Sequence, residues 1–186
     1  MLNVEVITER EVGIDELLSW QVSGAKFASA LKRYRLFDNE KQLAGEETPE
    51  KDFKRVLAQE DLTLNDVIYF EIYAYIHGDI ALSLSGFSCP WDSGFAGYIY
   101  FTKEDLRRFY NVKRITKKIK EQVEEAVKCA IDDFNSKVTE NIISVNDEVI
   151  GGYFSGVPEE DEVKNFVIEN FNIKNNEEFN ISYQIA

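Results

Sequence analysis

Alternation of apolar and polar positions marks several strands along this chain. The clearest case is VIYFEIYAYI at residues 67–76, where one face is aliphatic and phenyl while the other carries tyrosines and a glutamate. The short loop His77-Gly78-Asp79 then predicts a hairpin, because a glycine there can adopt a positive φ. By the same period we predict strands at residues 2–7, 80–84, 97–101, 138–145, 149–154 and 179–185.

Helices are predicted where apolar residues recur every three or four positions. The longest spans about residues 116–135, with Ile119, Val123 and Val127 on one stripe. Shorter helices are expected at residues 49–60, 103–110 and 159–170, which follow Thr48-Pro49, Thr102 and Pro158. Between residues 8 and 45 the pattern is ambiguous: Ile14, Leu17 and Leu18 favour a helix, whereas residues 26–32 fit either a strand or a helix.

These elements predict an α+β fold with a largely antiparallel sheet, one long amphipathic helix and two or three shorter helices. The 186 residues suit a single domain over residues 1–186, and 44% hydrophobic residues exclude a disordered chain. An acidic helix and an edge strand would be appended to this domain at residues 157–186.

The sequence also bounds the location of the protein. No apolar run approaches a membrane span, and the first residues are acidic where a signal peptide would be basic. Cys89 and Cys129 form neither a disulfide framework nor a CxxC motif. We therefore expect a soluble, cytoplasmic protein without a membrane partner.

Charge narrows the choice of partner. The 34 acidic and 21 basic residues give a net charge of −13, which repels free DNA and favours basic partners. One segment runs against this trend, since no acid separates its seven cations. This basic island, a candidate phosphate or RNA contact, comprises Arg107, Arg108, Lys113, Arg114, Lys117, Lys118 and Lys120. Internal pairs, Lys117 with Glu121 and Lys120 with Glu124, are the alternative explanation.

Candidate chemistry is sparse. His77 is the only histidine, so a conventional zinc site lacks ligands. A nucleophilic site would need Cys89 or a serine beside His77, with Asp79 or Asp92 as the acid, but structural roles are the favoured interpretation. Carboxylates alone could bind Mg²⁺, but a solvated acidic surface is the favoured interpretation of these residues. The candidates are Glu71, Asp79, Asp92, Asp132 and Asp133. We expect no catalytic residue, metal or cofactor, and a protein that is not an enzyme.

Aromatic residues give two further candidates. The segment Ser88-Cys89-Pro90-Trp91-Asp92-Ser93-Gly94 predicts a tight turn in which Trp91 is an anchor, although Trp91 and Phe95 would alternatively protrude as partner contacts. Tyrosines lie on one face of two strands and would stack unpaired bases if exposed, unless a helix buries them. They are Tyr69, Tyr73 and Tyr75 on one strand, and Tyr98 and Tyr100 on another.

The motif FSCPWDSG at residues 87–94, followed by GYIY at 97–100 and a basic stretch from Arg107 to Tyr110, resembles a family of small proteins encoded by phages, plasmids and integrative elements. The resemblance covers residues 67–120, weakens towards Phe154 and is absent before Gly24 and after Gly156, which makes residues 67–154 the family-like core of the domain. Phe95-Ala96 departs from the family pattern, and the family supplies no catalytic residues.

This resemblance implies a bacterial host cell and a role for a mobile element. In size and charge the chain is similar to anti-restriction and anti-CRISPR proteins, which implies inhibition of a basic defence nuclease, with or without its guide RNA. The contact acids would be Glu148, Glu159, Glu160, Asp161, Glu162, Glu169 and Asp147. An RNA-binding or processing protein and a phage housekeeping or assembly factor are the alternatives.

Overall fold

The structure, a computed structural model, describes residues 2–77, 79–146, 148–171, 173 and 178–185. Its mixture of helices and strands confirms the predicted α+β class. In chain order the elements are β1 (Leu2–Glu11), α1 (Ile14–Gln21), β2 (Lys26–Ser29), β3 (Lys41–Gln42), α2 (Pro49–Ala58), β4 (Val67–Ile76), β5 (Ile80–Ser83), β6 (Ser93–Thr102), α3 (Lys103–Phe109), α4 (Lys117–Asn135), β7 (Val138–Val145), β8 (Glu148–Ser155), α5 (Glu160–Asn170) and β9 (Phe179–Ile185).

The chain divides into two units. The larger unit is Gly13–Asn135, and the smaller unit combines Met1–Val12 with Ser136–Ala186. Each unit has its own sheet, in the orders β3-β2-β6-β4-β5 and β8-β7-β1-β9. Pairing is mainly antiparallel, the exceptions among the described strands being β2–β3 and β1–β9. One sheet was predicted and two form, while the single domain stays a prediction.

In the larger unit, register decides which side chains share a face. β4 and β6 pair so that Tyr69 lies opposite Tyr100 and Glu71 lies opposite Tyr98. Directly opposed residues point to the same side of a sheet, so the tyrosines of both strands share one face. α2 covers this face with Phe53, which joins Tyr98 and Tyr100 in one buried cluster.

The opposite face of this sheet is also apolar. Ile72, Ile99 and Phe101 are buried there, and α4 packs against α1 and β5 in the same unit. The last residue of α4 is fixed to β5: the backbone N–H of Leu82 donates to Asn135 Oδ1 and Asn135 Nδ2 donates to the Leu82 carbonyl, both at 2.8 Å. Both faces of β6 are thus buried, which explains its nearly unbroken apolar and aromatic sequence.

A bulge interrupts the β4–β6 ladder between Ile72 and Tyr73. Gly97 lies opposite Ile72 with a φ of 146°, and a Cβ atom there would approach the carbonyl oxygen of Ala28 to 2.2 Å. Glycine is therefore required by both conformation and space. The ladder between β2 and β6 reaches Gly97, which pairs with Ser29, and one further bond follows, in which the Ala30 N–H donates to the Ala96 carbonyl at 2.8 Å.

The smaller unit packs α5 onto one face of its sheet. Val163 and Val167 of α5 are buried against Val4, Val6 and Ile143. β9 is an edge strand that pairs in parallel with β1. The acidic helix and the edge strand predicted within residues 157–186 form as α5 and β9, and β9 belongs to the same sheet as β1, β7 and β8.

Other predicted elements form with shifted bounds. α1 confirms the helix suggested by Ile14, Leu17 and Leu18, and Thr102 caps α3 by accepting the Asp105 N–H at 3.0 Å. The structure has four shorter α-helices in its described residues, where two or three were predicted. None of the described helices is long and apolar enough to cross a membrane. The predicted positive φ at Gly78 lies outside the described residues.

Candidate protein-binding surface

Trp91 is the most exposed large hydrophobic residue of the loop that precedes β6. It is 91% exposed, so the prediction that it anchors the turn is wrong. Smaller groups hold the loop instead: the Ile76 N–H donates to the Asp92 carbonyl at 2.7 Å, and the Ser93 hydroxyl donates to the Cys89 carbonyl. Because Trp91 contributes little to this turn, nearly its whole surface is available to a partner.

Partly buried aromatic rings continue this surface along the sheet. Phe95 lies with its ring centroid 5.0 Å from Tyr98 and 6.1 Å from Tyr73. A cavity of about 340 Å³ opens beside it, lined in part by Trp91 and Leu31. Phe95 is thus half-buried in the wall of this cavity, and only Trp91 of the two predicted contacts protrudes.

His77, Cys89 and Asp92 do come together, but in an order unsuited to nucleophilic catalysis. The Asp92 carboxylate lies between the other two, with Oδ2 at 3.4 Å from His77 Nδ1 and 3.8 Å from Cys89 Sγ. A thiol nucleophile needs the base beside it and the acid behind the base. The arrangement therefore orients Asp92 in the turn and places no base beside the thiol.

No group of three or more histidine, cysteine, aspartate or glutamate residues with suitable geometry for a metal ion occurs in the part of the chain that the structure describes. Asp79 instead accepts the N–H of Ile80 at 2.8 Å, and Glu71 accepts the hydroxyl of Tyr73 at 3.0 Å.

The tyrosine face is not an open stacking platform. Tyr98 and Tyr100 are only 3% and 1% exposed, and the Phe53 ring stacks on Tyr98 at a centroid distance of 4.4 Å. Burial, helped by the charge of Glu71, raises the pKa of Tyr98 to about 12. Burial also raises the pKa of Tyr100. The alternative of burial under a helix is therefore correct for these two, and Tyr69 presents only part of its ring.

The basic island lies on α3, the following loop and the start of α4, and all seven of its cations are exposed. Arg108 is neutralised by Glu104 at 3.2 Å and Lys117 by Glu121 at 3.6 Å. The predicted pair between Lys120 and Glu124 does not form. Five cations make no ion pair with any described residue: Arg107, Lys113, Arg114, Lys118 and Lys120.

The predicted contact acids cluster at the start of α5. Glu159 caps the helix, its N–H donating to Glu162 at 2.9 Å, so Pro158 precedes the cap and does not open the helix. Asp161 is 92% exposed at its side chain, and Lys164 pairs with Glu160 at 2.7 Å. Glu148 and Glu169 are also exposed, whereas Asp147 lies outside the described residues. We name Glu159, Glu160, Asp161 and Glu162 the acidic turn.

One group of positively charged residues in the structure was not predicted from the sequence. Lys32, Arg33 and Arg35 follow β2 in the segment where the hydrophobic pattern was ambiguous, and with Tyr34 they line a second cavity. The signal that would have found them is their spacing, since three cations fall within four residues of an otherwise acidic chain.

Comparison with family models, with curated proteins and with solved structures found no match. The geometry itself is thus the basis for a function. It offers exposed aromatic and charged surfaces, and no arrangement of described residues suited to nucleophilic or metal catalysis.

Proposed function

We propose that this protein is an anti-defence protein of a phage or plasmid that inhibits a host nuclease, most specifically the RNA-guided effector of a type II CRISPR system. It acts by covering the basic surface with which the nuclease holds nucleic acid. The proposal requires neither a catalytic residue nor a metal or cofactor.

The observation that carries this proposal is the uneven distribution of charge. The smaller unit holds 13 acidic and four basic residues, a net charge of −9, whereas the larger unit holds 21 and 17, a net charge of −4. RNA-guided nucleases hold their heteroduplex in a positively charged channel. A small unit of high negative charge is attracted to such a channel over long range and is held back from nucleic acid itself.

The acidic turn has the features of a charged contact. Its side chains project from a helix whose position is fixed by Val163 and Val167 in the core. Among the described residues of α5, Lys164 is the one cation that offsets these negative charges. Its Nζ lies 3.7 Å from Asp161 Oδ1, and the Asp161 side chain stays 92% exposed. A preorganised negative surface loses little conformational entropy on binding, which favours affinity.

The test is inhibition of target cleavage by a purified type II effector loaded with guide RNA. A triple variant, Glu160→Gln with Asp161→Asn and Glu169→Gln, removes three charges but spares the two capping residues. We expect association at low salt to slow by about tenfold or more, and the wild type and variant to converge as salt screens the attraction.

A matched control removes the same number of charges from α4: Glu121→Gln, Glu124→Gln and Asp132→Asn. The first triple removes both partners of Lys164, Glu160 and Asp161, and the control removes Glu121, the partner of Lys117, so each triple leaves one lysine without an ion pair. The control should inhibit like the wild type. Equal loss in both triples would mean that only net charge matters, and failure of the wild type to inhibit any type II effector would remove the proposal.

A second function, RNA binding through the basic island, is favoured by its five cations that make no ion pair with any described residue. Those at the start of α4 face a helix dipole that disfavours positive charge by about 0.3–1 kcal/mol each, and the first turn of that helix contains no acid. A bound phosphate would offset this cost. Binding of free RNA, lost in the Lys118→Gln and Lys120→Gln variant, would support this function over nuclease inhibition.

A further inference from the structure

A cavity of about 340 Å³ lies in the loop between β2 and β3, apart from the residues used in the proposed function. Its lining includes Lys32, Arg33, Tyr34 and Arg35, with Glu40 as the one acid. Ligand pockets of this volume hold small organic molecules, and an inorganic ion would fill only part of it.

The loop is held in place by its own contacts. Leu36 and Phe37 are buried, and the Phe37 ring stacks on Phe27 of β2 at 5.2 Å. Glu40 Oε2 accepts the N–H groups of Leu36 at 3.0 Å and of Phe37 at 3.5 Å. Because these bonds fix the backbone on both sides of the cavity, its wall is formed before a ligand arrives.

The charges of this loop are only partly balanced. Glu60 forms ion pairs with the lysines of the two neighbouring strands, Lys26 of β2 at 3.0 Å and Lys41 of β3 at 2.6 Å. Glu40 is occupied by the backbone N–H groups. Lys32 and Arg33 consequently have no acidic partner within the described residues, although they follow one another directly.

Arg35 adds a third cation whose direction is set. Its Nε donates to the Phe37 carbonyl at 3.3 Å, and a terminal nitrogen donates to the Asp38 carbonyl. Neutral carbonyls orient the guanidinium without cancelling its charge. Three like charges on four residues repel each other, and an anion in the cavity would offset this repulsion.

We propose that this cavity binds a nucleoside phosphate, either a free nucleotide or the 5′-terminal nucleotide of a strand. Lys32 and Arg33 bind the phosphate. The ring of Tyr34, 41% exposed in the same wall, stacks on the base. The inference stands on this cavity alone and does not depend on nuclease inhibition.

The experiment measures binding of AMP to the full chain by calorimetry and by chemical-shift changes, with inorganic phosphate and adenosine as partial ligands. We expect saturable binding of AMP and at least tenfold weaker binding of each partial ligand. The variant Lys32→Gln, Arg33→Gln should lose about tenfold or more in affinity. Tyr34→Ala should weaken AMP but leave inorganic phosphate unchanged. Oligonucleotides with and without a 5′-phosphate then distinguish a strand end from a free nucleotide.

The matched control is Arg114→Gln, Lys118→Gln, which removes two unpaired cations from the basic island. It should bind AMP like the wild type. The proposal is overturned if AMP shows no saturable binding, if both double variants weaken it equally, or if inorganic phosphate binds as tightly as AMP. Since all four cations are exposed, unchanged thermal unfolding of the variants verifies that a loss of binding is not a loss of fold.

Discussion

Trp91→Ala separates a structural role from a binding role. The side chain is 91% exposed, so its truncation should change the free energy of unfolding by no more than about 0.5 kcal/mol. In a chain of this size that corresponds to roughly 2 °C or less in melting temperature. Phe53→Ala is the contrasting variant, because Phe53 is fully buried and its loss should cost roughly 3–5 kcal/mol.

Binding should respond in the opposite way. A tryptophan buries about 150–250 Å² when a partner covers it, which at about 25 cal/mol per Å² gives a gross gain of roughly 4–6 kcal/mol. After the costs of association, a loss of about 2 kcal/mol is expected on truncation, or roughly 30-fold in affinity.

The assay pairs thermal unfolding with a titration of the partner. Under the proposed function the partner is the loaded effector nuclease, and its target cleavage gives the readout. Our reasoning about the loop would be refuted if Trp91→Ala lowered the melting temperature as far as Phe53→Ala does. If the variant kept both its stability and its full inhibition, Trp91 would lie outside the interface.

Two further predictions concern stability. Partial burial raises the pKa of Glu60, but the hydrogen bonds and charges of Lys41 and Lys26 outweigh it and hold that pKa below its ordinary value. This stabilisation is present above the unfolded-state pKa of about 4.3 and is lost as the pH falls through the folded-state pKa. Glu60→Gln should therefore be less stable than the wild type in urea at neutral pH, with a gap that closes in acid; a gap independent of pH would contradict this account. Gly97→Ala should destabilise strongly, by about 2 kcal/mol or more, because the new Cβ would meet the Ala28 carbonyl at 2.2 Å; an unchanged urea midpoint would show that the bulge can relax.

The periodicity of hydrophobic residues correctly predicted the strands and helices that have a regular apolar face. β4 alternates in the chain as it does in the sheet, and α4 buries Ile119, Val123 and Val127 on the predicted stripe. The burial of Tyr98 and Tyr100 needed more, because it depends on the register between β4 and β6 and on α2, which lies far away in sequence.

The candidate site was predicted in its residues more than in its geometry. A tryptophan in a tight turn suggests a buried anchor. The exposure of Trp91 becomes visible only in the structure, where few side chains pack against it. The spacing of His77, Cys89 and Asp92 allowed them to meet but did not predict their order; the carboxylate lies in the middle, in the turn that the Ile76–Asp92 backbone bond joins to the end of β4. The cations of residues 32–35 were missed because nothing periodic surrounds them.

The pairing of β1 with β7 has a consequence for the order of folding. Val4 of β1 lies opposite Val145 of β7, and the whole of the larger unit lies between these two strands in the sequence. β1 therefore cannot pair until the chain beyond the larger unit is in place. Closing so long a loop in a disordered chain is entropically costly and slow. Once residues 13–135 have folded, much of that closure has already taken place. The pairing of β1 with β7 in the sheet of the smaller unit is thus expected to be the last step of folding, and its rate should depend on the folding of residues 13–135.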